Sequence, residues 1–149
     1  MKTSFQFFYI IFLFFCSSCE THQELAKKKL IGQWEIREIT INGKNCNDDL
    51  LINFMTFDEE HFSIPEIYNY AAEDKDNNTK WFINTENGKK ISLKLKCKNE
   101  IINGSYEVTF LKNYQEKLLG IKLKSKTVNI IAYKFFQNFD LNRNWDTEY

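Results

Sequence analysis

Four cysteines and two histidines are the side chains of this 149-residue chain that are best suited to catalysis or metal binding. Two cysteines stand in Cys16-Ser17-Ser18-Cys19, a spacing that is redox active or metal-binding in other settings. A thioredoxin-type pair begins a helix within a βαβ unit, whereas this pair ends an apolar run. The motif is therefore not a redox pair, and its meaning depends on the segment before it.

The remaining thiols and imidazoles do not form a recognisable catalytic set. A nucleophilic Cys–His pair needs both groups within hydrogen-bond reach. The predicted hairpins place Cys46 and Cys97 at the opposite end of the fold from His61, while His22 precedes the first strand. A zinc site needs three or four ligands with a typical spacing, which is lacking.

A calcium loop is also disfavoured. Asp74-x-Asp76-x-Asn78 begins like one, but Thr79 and Thr85 stand where Gly and Glu are required. We therefore predict no catalytic residue, no metal and no cofactor. An isomerase or a hydrolase is the distant alternative.

The apolar run before the C-x-x-C predicts an export signal. Residues 5–15, FQFFYIIFLFF, follow the positively charged Lys2 and are 11 residues long. A transmembrane helix needs about 20 apolar residues, whereas the core of a signal peptide needs roughly 7–15. Small residues then precede Cys19.

Ser17-Ser18-Cys19 resembles the end of a bacterial lipoprotein signal, although Cys16 stands where Leu, Val or Ile is commoner. The resemblance implies cleavage of residues 1–18 and acylation of Cys19, so that residues 19–29 form a tether. It places the protein in the cell envelope, anchored by its acyl chains to the outer membrane of a Gram-negative bacterium. The alternative is an ordinary signal peptide with an incidental cysteine.

After a short helix at 24–30, the apolar residues recur with period two, which is typical of strands. A change of face along the first strand predicts a bulge near Glu38. One barrel domain is expected over residues 30–136, with a polar tail at 137–149. The predicted strands are 33–41, 50–57, 62–64, 79–85, 90–97, 105–111, 118–124 and 127–136.

Eight hairpin-linked strands indicate an all-β, antiparallel up-and-down barrel, with a β-sandwich meander as the alternative. A short helix followed by Gly32-x-Trp34 and a meander resembles the lipocalin-like barrels. The resemblance implies that Gly32 and Trp34 close one end of the barrel. An arginine of the last strand often covers that tryptophan in the family, and this chain has Lys134 near that place.

Connections alternate between the two ends of such a barrel. The loops predicted at 42–49 and 65–78 are long and share one end, which we expect to be an open end pointing away from the membrane. Cys46 and Cys97 both belong to that end, and an envelope compartment permits disulfides. We therefore predict a disulfide between them, with two free thiols as the alternative.

Aromatic side chains supply the candidate contacts with a ligand or a partner. Tyr68 and Tyr70 lie on the long loop, where they contact a ligand or fold down as a plug, and Tyr106 and Phe110 are expected inside. The predicted interior is bulky, which favours a filled barrel. Its members are Phe54, Trp81 or Phe82, Leu93, Tyr106, Phe110, Ile121 and Tyr133.

The leading function is a non-catalytic binding module, with a small apolar ligand in the barrel as one form of it. The alternative is a protein-interaction lipoprotein, such as an assembly factor, an inhibitor or an immunity protein. Such a protein would use the long loops of the open end or an outward lysine stripe. The stripe consists of Lys94, Lys96, Lys122 and Lys124, and the alternative is that it is simply a solvated face. The chain has 20 basic and 20 acidic residues, so we exclude nucleic acid as a partner.

Overall fold

The computed structural model describes residues 21–70, 79–86, 90–113 and 118–135. The predicted signal peptide, Cys19, the acidic stretch 74–78 and the tail 137–149 lie outside these residues. The chain forms the helix α1 (His22–Leu30), and two 3-10 turns span Asn47–Asp49 and Tyr68–Tyr70. The strands are β1 (Gly32–Ile41), β2 (Lys44–Asn45), β3 (Phe54–Phe57), β4 (Phe62–Ser63), β5 (Lys80–Glu86), β6 (Lys90–Lys96), β7 (Gly104–Asn113), β8 (Leu118–Lys124) and β9 (Val128–Lys134).

The strands form one antiparallel sheet in the order β4-β3-β1-β9-β8-β7-β6-β5, and β2 pairs only with β1. The two ends of this sheet meet at a bridge between His61 and Lys80, and the Phe62 amide donates to the Thr79 carbonyl at 2.9 Å. The sheet thus curls into a nearly closed barrel. The prediction of an all-β, lipocalin-like barrel with a short N-terminal helix is confirmed, and the sandwich alternative is wrong.

The predicted second strand, 50–57, differs most from the structure. Only Phe54–Phe57 is a strand, because the chain first turns back at Asn42 and Gly43 and pairs β2 with β1. Both turn residues have positive φ, 52° and 79°, as a two-residue hairpin turn of the Asn-Gly type requires. The chain then spends residues 46–53 on a loop instead of a strand.

The predicted bulge in β1 is present. Pairing with β9 shifts register between Ile36 and Glu38, so Arg37 is an extra residue on the β1 side. An extra residue reverses which face the following side chains occupy. Trp34 and Ile36 before the bulge are therefore buried on the same side as Ile39 and Ile41 after it.

The barrel interior is a single apolar core. Trp81, Leu93 and Ile121 lie in it as predicted, whereas Phe82 points outward. The predictions for Phe54 and Tyr133 are wrong. Because β3 begins only at Phe54, its inward residues are Met55 and Phe57, and Val128, Ile130 and Ala132 are the inward residues of β9.

The helix α1 is docked on the barrel, so residues 22–29 are not a free tether as predicted. Thr21 and Glu24 form a capping box at its start, with Glu24 N to Thr21 Oγ1 at 3.2 Å and Thr21 N to Glu24 Oε2 at 2.9 Å. Ala26 and Leu30 are buried in the core. Gln23 Nε2 donates to the Ile83 carbonyl of β5 at 2.9 Å, so α1 covers part of the β5 edge that β4 is too short to pair.

Trp34 and Lys134 hold the end of the barrel beside α1. The buried Trp34 donates from Nε1 to the Leu30 carbonyl at 2.7 Å. Lys134 Nζ lies 5.4 Å from the centroid of that ring and donates to the Lys29 carbonyl at 2.9 Å. Gly32 (φ +128°) leaves room for this arrangement, because a Cβ there would lie 3.0 Å from Lys134 Cε. Lys134 thus occupies the place that the resemblance gives to an arginine.

We predict that Lys134→Met lowers the free energy of unfolding by about 1–2 kcal/mol. The variant loses a charged hydrogen bond and the cation–π contact, and the stabilisation by these two contacts together is larger than the predicted change. Burial lowers the pKa of Lys134, and this cost of holding the charge offsets part of the gain. Urea unfolding measures the change, and Lys134→Arg should restore most of it.

Lys126→Met is the matched control, because Lys126 is an exposed loop lysine whose loss should change stability by less than about 0.5 kcal/mol. Equal stability of the Lys134→Met and Lys126→Met proteins would contradict the role given to Lys134.

Candidate functional site

The end of the barrel opposite α1 carries the long connections. Cross-strand pairs place Ile41 beside Val128, Leu95 beside Gly104, and Lys124 beside Asn129 at this end. The loops that leave from these positions are 42–53, 64–70, 97–103 and 125–127, and we call them the open-end loops. This is the set of loops that the alternation of hairpins predicts.

Two of the open-end loops are joined to each other. Leu50 and Ile67 form an antiparallel bridge, and the Leu51 amide donates to the Glu66 carbonyl at 3.3 Å. One step away, Asn69 Nδ2 donates to Asp49 Oδ1 at 2.9 Å. Because residues alternate across such a pairing, Leu50 and Ile67 point into the barrel and their neighbours Leu51 and Tyr68 point out.

Asn47 fixes the first of these loops to the bulge in β1. Its side-chain oxygen accepts from the Ile39 amide at 2.8 Å, and its Nδ2 donates to the Arg37 carbonyl at 2.8 Å. The Cys46 amide adds a bond to the Ile39 carbonyl at 2.9 Å. Pairing of β1 with β3 ends at Glu35 and pairing with β2 begins at Thr40, so the loop provides hydrogen-bond partners for the stretch of β1 between them.

The loop 97–103 covers the barrel interior at this end. Asn99 organises it, because its Oδ1 accepts from the Ile101 amide at 3.1 Å and its Nδ2 donates to the Tyr70 carbonyl at 2.9 Å. Ile102 is buried, and the Tyr106 hydroxyl donates to its carbonyl at 2.8 Å. The open-end loops therefore fold down over the core.

The four predicted contact residues have different surroundings. Tyr68 is 77% exposed, whereas Tyr70 packs partly against the core and acts as a plug. Tyr106 is buried in the core, where burial raises its pKa well above the usual range and keeps the phenol neutral. Phe110 lies near α1, with Lys29 Nζ 5.8 Å from its ring centroid. Of these four residues, only Tyr68 is largely exposed.

Cys46 and Cys97 do not form the predicted disulfide in the structure. Each sulfur is engaged within its own loop, where Cys46 Sγ lies 3.4 Å from the Lys44 carbonyl oxygen and Cys97 Sγ lies 3.4 Å from that of Asn99. Cys46 is buried, and its amide bonds to the Ile39 carbonyl of β1.

His61 lies in the β3–β4 turn and bridges to Lys80, whose β6 partner Lys96 directly precedes Cys97, so His61 is not at the opposite end from this thiol as predicted. Across the described ranges, no group of three or more His, Cys, Asp or Glu side chains is placed to hold a metal ion. No helix within these ranges has the length and apolar character needed to cross a membrane.

Three exposed apolar side chains lie on the two bridged loops and are the candidate surface, which we call the loop patch: Leu51 (67% exposed), Ile52 (62%) and Tyr68. Sequence reasoning missed Leu51 and Ile52, because it assigned them to a strand. The run Leu50-Leu51-Ile52 does not alternate, and that was the available signal. Carboxylates of Asp48, Asp49 and Glu66 stand beside the patch in sequence.

The nearly closed sheet, the docked helix and the covered open end define an all-β, lipocalin-like domain. No protein-family model, no curated protein and no solved structure matches this chain.

Tyr106 should make the protein sensitive to alkali. Because its pKa is raised on folding, its contribution to stability is complete below the unfolded value of about 10 and is lost as pH rises above it. We expect the unfolding free energy to fall by up to about 1.4 kcal/mol per pH unit in that range. Urea unfolding at pH 8 to 11 measures this slope.

Tyr106→Phe should lose about 1 kcal/mol at pH 8, from its hydrogen bond, and show a smaller alkaline slope. Parallel slopes for the two proteins would rule out this role of Tyr106.

Asn47→Ala should loosen the loop and cost about 1–3 kcal/mol, because it leaves the Ile39 amide and the Arg37 carbonyl without their partner. Asn45→Ala is the matched control, since it removes only an exposed bond to the Asn47 amide. Hydrogen exchange should accelerate at Ile39 in the first variant alone. Unchanged exchange there would refute the anchoring role.

Proposed function

We propose that this chain is a lipid-anchored envelope lipoprotein that acts as a non-catalytic binding module and takes a partner protein on its loop patch. The observation that carries this proposal is an exposed apolar surface on hydrogen-bonded loops above a filled interior. Of the two forms of binding module that the sequence allows, protein interaction is favoured over carriage of a small ligand.

The interior offers little support for ligand carriage. An eight-stranded barrel either fills with side chains or holds one small ligand. Side chains from several strands are completely buried, among them Trp34, Met55, Leu93 and Ile130, so no water-sized space adjoins them. A ligand inside would have to displace Ile102 and the loop that Tyr106 holds in place.

The loop patch has the features of a protein-binding surface. Tyrosine is enriched among residues that dominate binding energies, and here it stands with two large aliphatic side chains. The bridge between Leu50 and Ile67 and the Asn69–Asp49 bond already order the two loops, so less conformational entropy is lost on binding. The neighbouring carboxylates favour a partner whose apolar patch has a basic rim.

The proposed anchor agrees with this arrangement. Cys19 is two residues before Thr21, where the described fold begins, so an acyl chain on Cys19 would hold the α1 end near the membrane. The open-end loops would then point away from the bilayer, where a partner can reach them.

The test replaces Leu51, Ile52 and Tyr68 by serine in the full-length chain and compares envelope pull-downs. We expect a stoichiometric partner protein with the unaltered chain and at least a tenfold loss of it with the triple variant. Lys126→Ser is the control, because it removes an exposed side chain of the open-end loops that lies outside the loop patch. Native mass spectrometry checks for a retained small molecule.

Equal recovery of the partner by the triple variant would exclude the loop patch as its site. A bound apolar molecule of constant mass would favour the ligand carrier instead.

A further inference from the structure

The outer wall of the barrel formed by β5 and β6 combines positive charge with an exposed aromatic ring. Phe82 of β5 is 49% exposed and pairs directly with Lys94 of β6. Lys80 and Lys96 form the next outward pair, and Lys96 Nζ lies 5.1 Å from the Phe82 ring centroid. Three lysines thus surround one aromatic ring, and we call this group the lysine wall.

The positive charge extends over the neighbouring strands. Lys90 of β6 and Lys122 and Lys124 of β8 point outward on the same side of the sheet. The outward carboxylates of β5 to β8 are Glu86, which pairs with Lys90, and Glu107, which pairs with Lys124. Lysines therefore outnumber carboxylates on this side, although the whole chain has equal numbers of basic and acidic residues.

The lysines around Phe82 have no carboxylate partner within the described ranges, where none of Lys80, Lys94 and Lys96 forms an ion pair. Along the strand pairing, the nearby acids are Glu60, in the turn before His61, and Glu107, which lies diagonally opposite Lys94. The wall consequently presents its charge to the surroundings.

We propose that the lysine wall binds an anionic phospholipid surface, with Phe82 entering the headgroup region. Aromatic rings favour that interface, and lysines around them keep their ammonium groups at the lipid phosphates while their methylene stems lie along apolar surface. The charge complementarity is that of basic segments on anionic leaflets. This inference rests on the proposed anchoring of Cys19 and not on the proposed protein partner.

The start of the fold supports this choice of a membrane over other polyanions. Gln23 donates to the Ile83 carbonyl, and Ile83 is the residue after Phe82. Two residue steps separate Cys19 from Thr21, and an extended chain covers at most about 7 Å in that distance. An acyl group on Cys19 therefore holds β5 near the bilayer at high effective concentration, where a surface of modest affinity is sufficient.

The experiment places the photocrosslinker p-benzoylphenylalanine at position 82 or at position 68 of the full-length chain. Each protein is reconstituted with two kinds of vesicle, one of phosphatidylcholine alone and one that also contains about 30% phosphatidylglycerol. The second kind supplies the anionic headgroups that the proposal requires. After irradiation, mass spectrometry measures lipid adducts, and flotation measures the protein bound to vesicles. We expect at least fivefold more lipid adduct at position 82 than at position 68 in the anionic vesicles.

Charge reversal tests the lysines themselves. With Lys80→Glu, Lys94→Glu and Lys96→Glu together, the adduct at position 82 should fall at least tenfold, since each lysine near an anionic surface contributes about fivefold in binding. Lys44→Glu with Lys126→Glu, in the open-end loops, is the control and should leave the adduct unchanged. Circular dichroism during urea unfolding checks that the variants fold.

Adduct formation that is equal at positions 82 and 68, or that ignores the lipid charge, would overturn the proposal. So would irradiation of intact envelopes that links position 82 to a polysaccharide or a protein and to no lipid. Failure of the chain to float with anionic vesicles would also overturn the proposal, because the acyl anchor on Cys19 would then not hold the protein at a membrane. Failure of the partner pull-down alone leaves these readouts unaffected, so the two proposals can fail separately.

Discussion

The bulge at Arg37 is the constraint on which the barrel depends. β1 is the strand between β3 and β9, and its two halves must each send apolar side chains inward. A regular strand with this sequence would bury Trp34 and Ile36 and expose Ile39 and Ile41, or the reverse. One extra residue resolves the conflict, and Asn47 bonds to the backbone of β1 at Arg37 and Ile39, between the pairings with β3 and β2.

The two ends of the barrel are consequently built on different principles. At the α1 end, a helix, a buried indole and a lysine form one unit in which Trp34 bonds to Leu30 and Lys134 bonds to Lys29. At the other end, Asn69 and Asn99 bond one loop to another, and Asn47 bonds its loop to β1. Amide side chains suit this task because they donate and accept at once. The open end is therefore ordered without being apolar throughout.

Periodicity predicted the barrel strands well because most strands have one buried and one solvated face. β6 and β8 follow the expected alternation, and the change of face in β1 gave the bulge. The candidate site was harder to predict. Exposure of Leu51 and Ile52 depends on pairing between residues 50 and 67, which are distant in sequence. Asn42-Gly43 is a hairpin signal in the sequence, and it would have predicted that a short strand pairs with β1 directly after the turn.

The distribution of charge also depends on how the strands are arranged and cannot be read from the composition. Equal numbers of acids and bases exclude a generally basic protein, yet strand alternation sorts the lysines of β5, β6 and β8 onto one side of the sheet. Alternation puts Phe82 among them, because an outward position on β5 is the only place left once Trp81 and Ile83 fill the core. A wall of this kind costs the fold little, since each lysine stays in water. A merely solvated face does not require an exposed aromatic ring among its lysines, and the proposed membrane contact accounts for Phe82.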